Sequence, residues 1–148
     1  MQLPRSADAL YCDRETLYLV EFKNGSLKET LGKRLNPKDD EELGINLGQR
    51  DALIEKCKDS VLICSDLWGK RTRWFHEHCV FVLVYNEDKN KTALKRVASS
   101  IRRKARFGLP DKLKGFCVKD VLTLTEKEFS TSLLSTWRDA EEIAEVDA

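Results

Sequence analysis

Apolar and polar positions fall into blocks along this chain, and the period of each block predicts an element. Two short apolar segments, residues 7–12 and 17–22, flank the polar stretch Asp13-Arg14-Glu15-Thr16, which predicts an antiparallel hairpin. The second segment is apolar on both faces, with Leu17 and Leu19 on one side and Tyr18, Val20 and Phe22 on the other. That is the pattern of a central strand covered above and below. Asn24-Gly25 ends it with turn chemistry. Residues 26–48 are polar and broken by Gly32, Pro37, Gly44 and Gly48, which predicts a long loop with a short helical turn around residues 27–31. From Arg50 the period becomes helical: Leu53, Cys57, Val61, Cys64 and Trp68 recur three to four apart until Gly69 stops the helix.

A basic loop, residues 70–73, leads into a continuous apolar run over 78–85 that reads as a buried strand. A second helix is expected over 91–107, with Leu94, Val97, Ala98, Ile101 and Ala105 as its apolar stripe and Gly108-Leu109-Pro110 as its stop. A further strand spans 116–124. Thr125 and Glu128 then form a T-x-x-E capping box that opens a last helix through Phe129, Leu133, Leu134 and Trp137, and an acidic tail follows Arg138. The order β-β-α-β-α-β-α predicts an α/β (α+β) sandwich around a mixed sheet, in one domain over 1–148.

Composition narrows the partners rather than naming one. Lys and Arg total 26 against 25 Asp and Glu, a net charge of +1, so only the distribution of charge selects a ligand. The longest apolar run, residues 79–85, is far too short for a membrane span, and the first six residues lack the apolar core of a secretory signal. The five cysteines are odd in number and form no C-x-x-C pair, which favours free, buried thiols in a reducing cytoplasm over a disulfide framework. His76, His78 and Cys79 lack the fourth ligand of a transition-metal site.

The candidate chemistry lies at the end of the second strand. Glu21 and Lys23 are charged positions in an otherwise apolar strand, and residues two apart share a face. A turn centred on Arg14-Glu15 pairs Cys12 with Leu17, and the same register pairs Asp8 with Glu21 on that face. Two neighbouring carboxylates need a cation. A hard divalent ion such as Mg²⁺, or Mn²⁺ in its place, takes one or two protein carboxylates and fills its other positions with water and phosphate oxygens. Lys23 beside such an ion suits phosphodiester hydrolysis. The plainer reading is a Glu21–Lys23 surface ion pair with Asp8 as an acid near the hairpin.

Asp8, followed by the apolar strand into Glu21-Phe22-Lys23, resembles the PD-(D/E)xK signature of restriction-endonuclease-like nucleases over about residues 6–85. The resemblance implies a restriction-endonuclease-like sandwich, with Asp8 and Glu21 as metal ligands and Asp8, Glu21 and Lys23 as the catalytic set. It also implies a metal-dependent nuclease acting on DNA in preference to RNA. Ala7 stands where the family's motif has proline. Only seven residues precede Asp8, so the helix and strand that open the family's core are expected to be missing, and a second copy in a homodimer is expected to cover the resulting strand edge. A non-catalytic nucleic-acid-binding or protein-interaction module on the same scaffold is the alternative.

Charge distribution adds a second signal. No acid occurs between Lys89 and Pro110, while Lys95, Arg96, Arg102, Arg103 and Arg106 lie on or beside one predicted helix. These five are the candidate phosphate contacts, in a backbone-directed and salt-dependent mode of binding.

Overall fold

A computed structural model describes residues 7–27, 45–90 and 106–140. The hairpin forms as β1 (Ala9–Asp13) and β2 (Thr16–Lys23), joined by Arg14 and Glu15. Its register pairs Cys12 with Leu17 and Ala9 with Val20, as the sequence predicts. Helix α1 (Leu47–Trp68) follows, capped by Asn46, whose side chain accepts from the N–H groups of Gly48 and Gln49. Gly69 ends α1 at φ +63, a left-handed position that glycine occupies without steric cost. A short helix, α2 (Thr72–His78), leads into β3 (Cys79–Tyr85), which is buried along its whole length.

After a 3₁₀ turn (Asp88–Asn90), the description resumes at a second 3₁₀ turn (Arg106–Gly108) and the short helix α3 (Leu109–Leu113). Strand β4 (Asp120–Thr125) comes next. Helix α4, residues 126–140, starts at Thr125 through the predicted capping box and passes through a π turn at Ser130–Leu134.

The sheet has the order β1-β2-β3-β4, with β1 antiparallel to β2 and the remaining neighbours parallel. It is a mixed sheet with helices on both faces. Leu17, Leu19, Phe81, Leu83 and Tyr85 pack on one face against Leu53, Cys57, Val61 and Cys64 of α1 and against Leu109 and Leu113 of α3. Val20, Val80, Val82 and Val84 pack on the other against Phe129 and Trp137 of α4. Tyr11 stacks on Trp137 with centroids 4.3 Å apart, fastening β1 to the same helix. No helix among the described residues is long and apolar enough to cross a membrane.

Several expectations need correction. The first helix starts at Leu47 rather than Arg50, because Asn46 caps it. The stretch read as a basic loop into a strand is largely helix: α2 takes Thr72–His78, with Phe75 buried, and β3 begins at Cys79. The backbone reverses at Phe107 (φ +64) and Gly108 (φ +65), and Pro110 then sits in the first turn of α3, where its missing N–H is harmless. Residues 115–117 form a turn rather than the start of a strand, leaving Phe116 exposed. Cys12 is an exposed thiol, unlike the other four. Most of the expected helix over 91–107, the loop from 28 to 44 and the tail from 141 lie outside the described residues.

Candidate active site

The buried stripe of α1 is not wholly apolar. Gln49, Lys56 and Ser60 interrupt the series Leu53, Cys57, Val61, Cys64 at helical spacing, so these polar groups face the sheet. Lys56 reaches the carboxyl end of β2, where its ammonium donates to Oε1 of Glu21. Lys23, on the same face of β2, holds its Nζ 3.9 Å from that oxygen. The Glu21 side chain is 1% exposed, and its Oε2 is buried without a hydrogen-bond partner among the described residues. A buried carboxylate with one bare oxygen calls for an explanation, and a further ligand would supply one.

Asp8 lies one residue before β1, at the position that register continues opposite Glu21. Its Oδ2 accepts from the Phe22 N–H at 2.9 Å, where an uninterrupted ladder would offer the Ala7 carbonyl. The chain instead leaves the sheet: Ala7 N–H donates to Ser60 Oγ at 2.7 Å, and that hydroxyl donates to the Lys56 carbonyl at 2.6 Å. Successive turns of α1 therefore hold both the Glu21 carboxylate and the segment that carries Asp8. Asp8 is exposed, and Glu21 is buried.

The end of the strand is held from a second side. Asn90 accepts from Leu27 N–H at 2.9 Å and donates to the Asn86 carbonyl at 2.7 Å, while Asn46 N–H donates to Leu27 O at 2.7 Å. These bonds tie the exit of β2 to the start of α1 and the end of β3.

Glu21 and Lys23 are thus brought together, and Asp8 joins them through the strand backbone. Lys56 and Ser60 were missed. Their signal was present as polar residues spaced three, then four, after Leu53 within an apolar stripe. Of the predicted phosphate contacts, Lys95, Arg96, Arg102 and Arg103 lie outside the described residues, and Arg106 is described in its backbone alone.

Asp8 and Glu21 suit a hard cation in donor type, and the bare Oε2 of Glu21 is the observation in favour. Among the described residues no three His, Cys, Asp or Glu side chains gather into a site of their own, so water and a ligand would have to complete the shell. The thiols belong to the core rather than to this site. The hydrogen bond with Cys117, Sγ to Sγ 4.0 Å, and then burial push the Cys57 thiol up; burial first, then neighbouring cysteines, does the same to Cys79. His78 stacks on Trp74 at 4.7 Å and Cys79 is buried in β3, so the His76-His78-Cys79 group does not converge.

No family model, curated protein or solved structure matches this chain. The fold and site therefore stand on their own geometry: a mixed α/β sheet with a buried, lysine-paired glutamate at a strand's carboxyl end.

Proposed function

We propose that the chain is a restriction-endonuclease-like, metal-dependent nuclease of the cytoplasm that cleaves phosphodiester bonds of DNA. The bare, buried Oε2 of Glu21, beside Lys23 and next to Phe22, whose N–H donates to Asp8, carries this reading. The site also lies at the carboxyl end of a parallel strand, where open α/β sheets hold their ligands.

Asp8 and Glu21 would hold Mg²⁺ or Mn²⁺, which when bound polarises a phosphate oxygen and acidifies a water. Lys56 fixes the glutamate through Oε1 and leaves Oε2 as the oxygen that would ligate the ion. Lys23 places a positive charge where negative charge grows on the phosphoryl oxygens. Ser60 anchors the chain at Ala7 and so sets the position of Asp8. Lys95, Arg96, Arg102, Arg103 and Arg106 supply sequence-independent contacts to the strand backbone.

Lys56 favours a second reading, a non-catalytic binding module on the same scaffold, because an ammonium already neutralises Glu21. Incubating the full chain with supercoiled plasmid, single-stranded DNA and RNA separates the two, with Mg²⁺ or Mn²⁺ and then with chelator. Cleavage that needs metal and disappears in Glu21→Gln and Lys23→Met supports the nuclease. Intact substrates under every condition sink it and leave the binding module.

A further inference from the structure

At the opposite end of β2 a cavity of about 510 Å³ opens between the hairpin turn, the end of α1 and the face of α2. Its size is that of small-ligand sites. Thr16 lies five residues from Glu21, so about 17 Å of strand separates this cavity from the carboxylate site. Its lining combines two indoles, Trp68 and Trp74, with Arg14, Lys70, His78 and Glu15.

The two indoles are not equivalent. Trp74 is half-buried and engaged internally: His78 stacks on it at 4.7 Å, and the Lys70 ammonium sits 4.8 Å from its ring centroid. Trp68 is 44% exposed, and among the described residues no ring or cation is stacked on it. An open indole in a cavity is a platform for a flat ligand.

The charges state what that ligand carries. Arg14 and Lys70 line the cavity, and Arg71 and Arg73 are exposed beside it. Arg14 occupies a left-handed turn position, φ +55, that asparagine or glycine would fill with less strain, at a cost of about 1 kcal/mol. The cations call for an anion. Glu15 in the same lining disfavours a carboxylate-rich peptide but accepts a hydrogen bond from an exocyclic amine, as acidic side chains do from cytosine.

We propose that this cavity stacks an unpaired nucleobase on Trp68 and holds the adjoining phosphate with Arg14 and Lys70. The base arrives either in a single strand or as a free mononucleotide. The pocket shares its class of ligand with the carboxylate site but none of its residues. Binding is therefore measured in chelator, where hydrolysis plays no part and failure of the nuclease reading is distinguishable.

The test follows fluorescence anisotropy of a labelled short oligodeoxycytidylate titrated with the full chain, against a sugar–phosphate oligomer of equal length without bases. The base-bearing strand is expected to bind about tenfold tighter, within the range of one stacked base. Trp68→Ala should erase that difference and Trp68→Phe retain most of it, with circular dichroism unchanged in both. Competition by cytidine monophosphate assigns the pocket to a free nucleotide; competition by unlabelled strand alone assigns it to a single strand. Equal binding of the two oligomers, or an unaltered difference in Trp68→Ala, overturns the proposal. Displacement by a glutamate-rich peptide more effective than the unlabelled strand overturns it too, in favour of an acidic protein partner.

Discussion

Lys56 of α1 and Glu21 of β2 form an ion pair across the helix–sheet interface, and the pair satisfies only one of the two carboxylate oxygens. Burying a charge is tolerable when it is paired and hydrogen-bonded, and costly in proportion to what is left bare. A purely structural pair would gain from closing both oxygens.

Replacing Lys56 with Met should destabilise the fold by about 2 kcal/mol. Breaking a fully buried pair costs roughly 3–5 kcal/mol. Here the Lys56 side chain is 22% exposed, and Lys23 remains 3.9 Å from the orphaned oxygen. Glu21→Leu combined with Lys56→Met should cost less than Lys56→Met alone, since no unpaired charge remains. Urea unfolding of the two variants measures the order. If the double variant is the less stable, the pair is not the liability described.

Asp8 offers a separation of structure from chemistry. Asp8→Asn keeps an oxygen for the Phe22 N–H, so stability should change by less than about 0.5 kcal/mol, while Asp8→Ala should lose about 1 kcal/mol with that bond. Metal-dependent cleavage should vanish in both, because an amide is a poor ligand for a hard cation. Thermal melts beside a plasmid-nicking assay read the two effects separately. Full cleavage by Asp8→Asn would remove Asp8 from the site.

The hairpin, its register, the Gly69 stop and the Thr125 capping box were legible because each rests on contacts within a few residues. So was the Glu21–Lys23 pair, whose period-two spacing is local to one strand. Lys56 was not, because nothing within its own helix states which strand the stripe will face. Helix α2 was hidden for another reason. Lys70-Arg71-Thr72-Arg73 is polar enough to read as loop, and Phe75 alone marks the buried side of a seven-residue helix.

A core thiol makes the fold sensitive to alkali. Burial and then neighbouring sulfurs push the Cys79 thiol above its ordinary value of 9.0, while the hydrogen bond between Cys57 and Cys117 raises the first thiol and lowers the second, so that pair largely offsets itself. The folded chain therefore keeps the Cys79 proton more tightly than the unfolded chain. The Cys79 contribution is complete below about pH 9 and declines as pH rises from there, by up to about 1.4 kcal/mol per pH unit. Tyr18, raised by burial and then by Asp13, adds to the decline only above its ordinary value of 10.0. Urea midpoints between pH 7 and 10.5 should fall after pH 9, and Cys79→Ala should show a shallower slope. A flat profile would mean that the Cys79 thiol ionises as easily folded as unfolded.

The hairpin edge is where association is expected. With a two-residue turn, Asp13 and Thr16 form a hydrogen-bonded pair, so alternate residues Tyr11 and Ala9 bond inward to β2. The backbone groups of Leu10 and Cys12 then point away from the sheet at the β1 edge. Both side chains are exposed, and β1 contains neither Lys nor Pro to discourage pairing. Tyr11 stacks on Trp137 and donates to its carbonyl at 3.3 Å, which holds the other face of β1 against α4. A two-fold dimer that pairs β1 with its copy would continue the sheet across the axis. Sedimentation equilibrium over a wide concentration range should show a dimer of the 17.0 kDa chain. Leu10→Lys should shift it toward monomer without altering the circular dichroism spectrum, because a lysine on an edge strand opposes pairing and Leu10 already faces water. A monomer at every concentration would mean that the chain covers this edge itself.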